Sequence, residues 1–119
     1  MPNPFVHIES QTQDVDKAKK FYKGLFDWKV EDFSEMAYTM IDVGDGTGGG
    51  MMKNPVPGAP SHWIPYALVD DIKASTKKAK SLSGRIVMDI TEIPDYGWFS
   101  VIVDPTEATF GLWQAKAGK

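Results

Sequence analysis

The sequence predicts an α+β protein built from two βαβββ modules, and three observations carry that prediction. Segments of strand and helix period follow one another in the same order twice, a shift of 57 positions lays residues 14–32 on 71–89 without a gap, and a proline-rich stretch separates the halves. Under that shift Asp14 and Val15 meet Asp71 and Ile72, Lys20 meets Lys77, Leu25 meets Leu82, Val30 meets Val87 and Asp32 meets Asp89. A shift of 60 lays "YTMIDVG" on "WFSVIVD". The expected organisation is one domain over 1–119, with module one at about 4–52, a linker at 53–62 and module two at about 63–114.

Each element has its own signal. "FVHIES", residues 5–10, alternates as a strand does. "DVDKAKKFYKGLF", 14–26, carries an apolar stripe of Val15, Ala18, Tyr22 and Leu25 at helical spacing, with Asp14 as N-cap and Gly24 weakening the last turn. "DWKVEDF", "AYTMIDVG" and "TGGGMM" read as three further strands, the last softened by glycine. The linker "KNPVPGAPSH" holds three prolines and one glycine and suits no regular element. "WIPYALV" then opens the second module, "DDIKASTKKAKSLSG" is a helix expected to end at Gly84, and "RIVMDI", "GWFSVIV" and "ATFGLWQ" complete it.

The bulk numbers exclude several classes. At 119 residues the chain buries one core, and 42% hydrophobic with 24% charged residues is ordinary for a globular domain. A formal charge of −3, with Lys17, Lys19, Lys20, Lys77, Lys78 and Lys80 spread over the two helices, offers no phosphate-binding field, so nucleic acid is not an expected partner. The absence of cysteine rules out disulfides, zinc thiolates and a thiol nucleophile. No basic leader and no run of 18 apolar residues is found, which predicts a cytoplasmic protein without a membrane partner.

Function hangs on the first strand. Phe5, His7 and Glu9 share one face, and Val6 and Ile8 share the other. If Val6 and Ile8 face the helix, the polar face looks into the hollow of a curved sheet, together with Ile64, Tyr66 and Leu68 of the equivalent strand. His7 and Glu9 are the candidate catalytic pair, a general base or a hydrogen-bonding partner for a ligand; the plain alternative is a half-buried imidazole bonded to Glu9. Tyr66 offers a hydroxyl to a carbonyl, and Trp113, two residues after Gly111, could floor an apolar pocket. Met51 would grease it. Trp98, in the loop "TEIPDYGW", is a candidate ligand or dimer contact. The run Gly48–Gly50 lacks the lysine and following helix of a phosphate loop and fits close backbone approach instead.

The paired modules, with "HIESQTQDVDKAKKFYKGLFDWKV", "YALVDDIKASTKKAKSLSGRIV" and "VDPTEATFGLWQ", resemble the vicinal oxygen chelate superfamily: glyoxalase I, extradiol dioxygenases and the bleomycin and fosfomycin resistance proteins. The resemblance covers residues 4–114 and is narrower, through "SHWIPYALVDDI", "GGGMM" and "DPTEATFGLWQ", to a glyoxalase-like branch of ill-defined activity. It implies curved mixed sheets around a cavity and, in members that use one, a divalent metal held by the first and last strand of each module. Carried over, those four positions fall on His7, near Met51, on Ile64 and on Gly111, so only His7 can ligate. A rebuilt trio of His7, Glu9 and His62 is the one register that could restore a site.

Three functions stay open on this sequence. The leading one is a metal-independent, glyoxalase-like protein without a cofactor, binding an apolar or aromatic small molecule in the hollow, with His7 and Glu9 able to move a proton. The others are a metal-dependent lyase of the lactoylglutathione type or a dioxygenase, and a drug-sequestering protein of the bleomycin-binding type. The resemblance further implies a homodimer.

Overall fold

Backbone alternation and capping place the elements close to where the sequence puts them. The computed structural model describes residues 2–117. Its elements run β1 (Phe5–Thr12), α1 (Val15–Leu25), β2 (Lys29–Phe33), a short 3-10 turn (Ser34–Met36), β3 (Tyr38–Asp42), β4 (Gly49–Lys53), β5 (His62–Leu68), α2 (Ile72–Ser81), β6 (Arg85–Ile93), β7 (Gly97–Val103) and β8 (Thr109–Ala115). This is βαβββ twice, in mixed sheet, as the repeat predicts. Both helices start the same way: the Asp14 side chain accepts from Lys17 N at 3.0 Å and the Asp71 side chain from Ala74 N at 3.1 Å. α2 ends three residues before Gly84. The left-handed position is Ser83, at φ 73°, and Gly84 is needed because a Cβ there would lie 2.8 Å from the Ala79 carbonyl.

The described residues divide into two compact units, His7–Ile64 and, together, 2–6 and 65–117. In the first unit β1 pairs with β4 in parallel, and β4 with β3 and β3 with β2 antiparallel. The second repeats the pattern, with β5 parallel to β8, β8 antiparallel to β7 and β7 antiparallel to β6. Irregular chain between the modules is confined to 54–61, because His62 already belongs to β5. Asn54, itself buried, anchors that stretch: its backbone N–H donates to Thr12 O at 2.9 Å and its side-chain oxygen accepts from Val56 N at 2.9 Å.

Packing of helix on sheet differs between the units. α2 buries Ile72 and Thr76; Ile72 joins Val69 and Leu112 in a core closed by Ile90, Trp98 and Phe110, and the Thr76 and Ser100 hydroxyls pair at 2.9 Å. α1 has no buried residue. Of its expected stripe, Val15, Ala18 and Tyr22 are half-buried, but Leu25 is open, and neighbouring Phe21 is 61% exposed. Lys19 ties the helix to β2 through Asp32 at 2.9 Å, and Thr39 donates to the same carboxylate at 2.7 Å. These two donors hold the Asp32 carboxyl below its ordinary value.

No helix among the described residues is long and apolar enough to cross a membrane.

Candidate functional site

Alternation along β1 sends Ile8, Ser10 and Thr12 toward α1 and His7, Glu9 and Gln11 to the opposite face. The register continues that division across the first unit. Glu9 lies beside Gly50 and Gly50 beside Met40, so Tyr38, two residues earlier on β3, stands on the face of Glu9. A Cβ on Gly50 would collide with the Tyr38 ring, so the glycine is what lets this ring lie down against the sheet.

The result is a chain of four polar side chains. Gln11 Nε2 donates to Glu9 Oε2 at 2.9 Å, and the Tyr38 hydroxyl donates to Glu9 Oε1 at 2.8 Å. The same hydroxyl lies 2.7 Å from His7 Nε2. Since Tyr38 has one proton and gives it to Glu9, the imidazole must supply the proton of the second bond, which selects the Nε2–H tautomer of His7. Burial pushes the His7 pKa below its ordinary 6.5, so the ring is neutral at neutral pH. Glu9 is only 4% exposed, whereas His7 and Tyr38 are half-buried. The chain therefore runs from a buried inner end, Gln11 and Glu9, to an outer end at the imidazole.

Of these four side chains the sequence points to His7 and Glu9 but not to Tyr38 or Gln11. Gln11 was within reach, since it follows Glu9 by two on one strand. Tyr38 was not, because its place depends on the pairing of β3 with β4.

Several expected site residues lie elsewhere. Met51 sits beside Ser10 and Thr39, on the α1 side, at 1% exposure; the residue that accompanies Glu9 is Gly50, one position earlier. Trp98 packs into the α2-side core under Lys116, whose Nζ lies 5.3 Å from its ring centre, instead of forming a loop contact. Ile64 is fully buried. In the second unit Tyr66 pairs with Gly111, its ring occupying the space a Cβ on Gly111 would take, and meets Phe99 edge to face at 6.3 Å. Trp113 lies beside Phe99 and Leu68, on the same face as Tyr66, where alternation placed it.

A resident divalent metal does not fit this donor set. Both Glu9 oxygens are engaged by Gln11 and Tyr38, the His7 Nε2 by Tyr38, and among the described residues no three His, Cys, Asp or Glu side chains gather. His62 is within β5, as the rebuilt trio requires, but gives its Nδ1–H to Pro60 O at 3.2 Å and does not assemble with His7 and Glu9.

On the α1 side of the first unit a pocket of about 320 Å³ is lined by Ile8, Tyr22, Trp28, Ile41, Val43 and Trp63, with Thr47, Gly48 and Gly49 at its edge. A second, wider recess at the start of α1 shares the walls Tyr22 and Trp63.

Known proteins match this chain in sequence and in fold. It is 36% identical over 107 residues to CFP32 of Mycobacterium tuberculosis, a protein with a provisional glyoxylase name, covering 87% of this chain and 41% of that one. It is 25% identical over 118 residues to the anthracycline biosynthesis protein DnrV of Streptomyces peucetius, covering 85% and 43%. The chain thus spans about two fifths of the length of these curated relatives. The methylmalonyl-CoA epimerase of Mycobacterium tuberculosis superposes with a TM-score of 0.66 at 14% identity, over 94% of this chain and 87% of that one, which shows the shared fold. A hypothetical protein of Bacillus halodurans, BH1468, superposes with a TM-score of 0.66 at 13% identity, over 100% and 99%. The profile of the Glyoxalase/Bleomycin resistance protein/Dioxygenase superfamily matches residues 5–112, and the chain belongs to that family.

Proposed function

We propose that this protein binds an apolar or aromatic small molecule without a resident metal and moves a proton on it through His7, Tyr38 and Glu9. The observation that carries this reading is the Tyr38 hydroxyl held between the Glu9 carboxylate and His7 Nε2 at 2.8 and 2.7 Å. A proton taken from a ligand C–H or O–H onto His7 Nδ1 makes an imidazolium. Its Nε2 proton passes to the Tyr38 oxygen while the Tyr38 proton passes to Glu9 Oε1. The ligand is left as its conjugate base, His7 as the neutral Nδ1–H tautomer and Glu9 as a carboxylic acid, and return of the proton reverses each step. Burial favours this, because a His7 that resists charging holds the proton only in transit. In the second unit the corresponding face offers aromatic surface, Tyr66 with Phe99, in place of a titratable chain. The name of the DnrV relative, which refers to a class of polycyclic aromatic compounds, agrees with an aromatic ligand.

The test is solvent-deuterium exchange. Acetophenone and other aryl ketones carrying an α C–H are incubated in D2O with EDTA, and α-deuteration is followed by NMR. Exchange above the protein-free rate is expected, falling at least tenfold in Glu9→Gln and in His7→Ala. Exchange that appears only after nickel, zinc or iron(II) is added, or that is unchanged in both variants, overturns the reading.

The same proposal has the chain acting in the cytoplasm as a homodimer. Exposed Phe21, Leu25 and Phe26, and relatives long enough to hold a second domain of this size, support the pairing. Sedimentation equilibrium measures it, and a monomer at micromolar concentration would remove that part.

A further inference from the structure

We infer that the pocket between α1 and the sheet of the first unit is a second small-molecule site, on the opposite face of β1 from His7 and Glu9, and that it takes an uncharged, planar, fused-ring aromatic molecule. Its volume, about 320 Å³, lies at the lower end of the range of roughly 300–1,000 Å³ typical of small-molecule pockets. Its lining is almost wholly apolar and contains no acid or base, so an ion finds no counter-charge there.

The walls are built before a ligand arrives. Tyr22 lies nearly parallel to Trp28, 5.8 Å between ring centres, and Trp63 meets Tyr22 edge-on at 5.3 Å. The Trp63 indole N–H donates to the Tyr22 hydroxyl at 3.2 Å, which ties a strand to a helix and fixes the angle between two walls. Flat faces and edges held at set angles suit a flat ligand, through offset stacking and edge contacts. The glycine run also finds a use. Gly48 and Gly49 line the pocket, and a Cβ on Gly49 would collide with the Ile8 carbonyl, so the sheet can be bare of side chains at that point.

The second unit shows that the space is not imposed by the fold. Under the 57-residue repeat Tyr22 and Trp28 become Ala79 and Arg85. There the helix closes on its sheet and buries Ile72 and Thr76, while Arg85 reaches outward to Glu107. In the first unit large rings hold the same helix off, and no residue of α1 is buried.

The experiment titrates the intact chain with prodan, an uncharged naphthalene ketone whose emission shifts blue in apolar surroundings. Saturable binding with a blue shift is expected. It should weaken at least tenfold in Tyr22→Ala, which removes a wall, and in Val43→Trp, which fills the pocket, each variant first shown by its melting curve to be folded. Leu82→Ala, an exposed residue of the second unit, controls for adhesion to surface apolar groups and should change nothing. Binding that is unsaturable, or equal in the two pocket variants and wild type, overturns the site. Displacement of prodan by tetramethylammonium would make it a cation cage, and loss of prodan binding in step with self-association would make it a contact between copies; either result overturns the assignment.

Discussion

The two units place the same three positions in the same strand register and fill them with different chemistry. In the first, Glu9 lies beside Gly50 and the Tyr38 ring covers that glycine; in the second, Tyr66 lies beside Gly111, and Phe99, two residues before the partner of Gly111, corresponds to Tyr38. Carboxylate with phenol on one side answers phenol with phenyl on the other. What persists through the repeat is a glycine on the last strand with an aromatic ring laid against it. Gly111 stands where the resemblance to metal-using members implies a ligand on the last strand, and Gly50 one residue before the corresponding position at Met51; at both glycines a ring occupies the space of a side chain.

Substitutions at these positions can break the correspondence or sharpen it. The largest effect is expected from Gly111→Ala, because the Tyr66 ring it strikes is 3% exposed and cannot swing away; overpacking of this kind costs about 3 kcal/mol, read from urea denaturation. Gly50→Ala should cost less, since Tyr38 is half-buried and can rotate outward, although its bonds to Glu9 and His7 would be lost. Equal costs would show the two stations to be alike in packing as well as in register. Tyr38→Phe gives the first station the phenyl ring of the second and removes the hydroxyl that donates to buried Glu9, a loss of about 2 kcal/mol at neutral pH. In the second unit Thr76→Val strands the Ser100 hydroxyl and should cost about 1 kcal/mol, while the double change Thr76→Val with Ser100→Ala recovers most of it.

The smallest effect is a pH dependence. A histidine whose pKa is lowered in the folded state binds fewer protons there than in the unfolded chain, so its contribution is present above the ordinary value of 6.5 and is lost as pH falls from there through the lowered value. Melting temperature against pH should therefore drop on that acid limb, and His7→Gln should flatten it. Asp32 acts lower, its stabilisation intact above 3.8 and lost as pH falls below that, and Lys19→Ala should shrink this second limb alone.

The order of the elements is legible in the sequence. Period and punctuation located all eight strands and both helices, because helix caps at Asp14 and Asp71 and alternation in "FVHIES" are local properties. Registers are not local. The shift of 60 that lays Tyr38 on Trp98 preserves residue class along β3 and β7, but the hydrogen-bonded partners of Gly50 and Gly111 require 61, pairing Tyr38 with Phe99. In a strand that single residue exchanges faces, so residue class alone does not settle which side chains of β3 and β7 share a face with Glu9 and Tyr66. The position of Tyr38 above Glu9 was hidden for the same reason.

The tryptophans divide evenly, Trp28 and Trp63 in one unit and Trp98 and Trp113 in the other, which turns the molecule into its own pair of spectroscopic reporters. Trp28 and Trp63 lie 6.5 Å apart with planes at 75°, a chiral pair whose coupled transitions should give a distinct near-ultraviolet dichroism band, whereas Trp98 emits from beneath a lysine ammonium. Following dichroism and emission together during unfolding would therefore show whether the two halves come apart as one body or in turn.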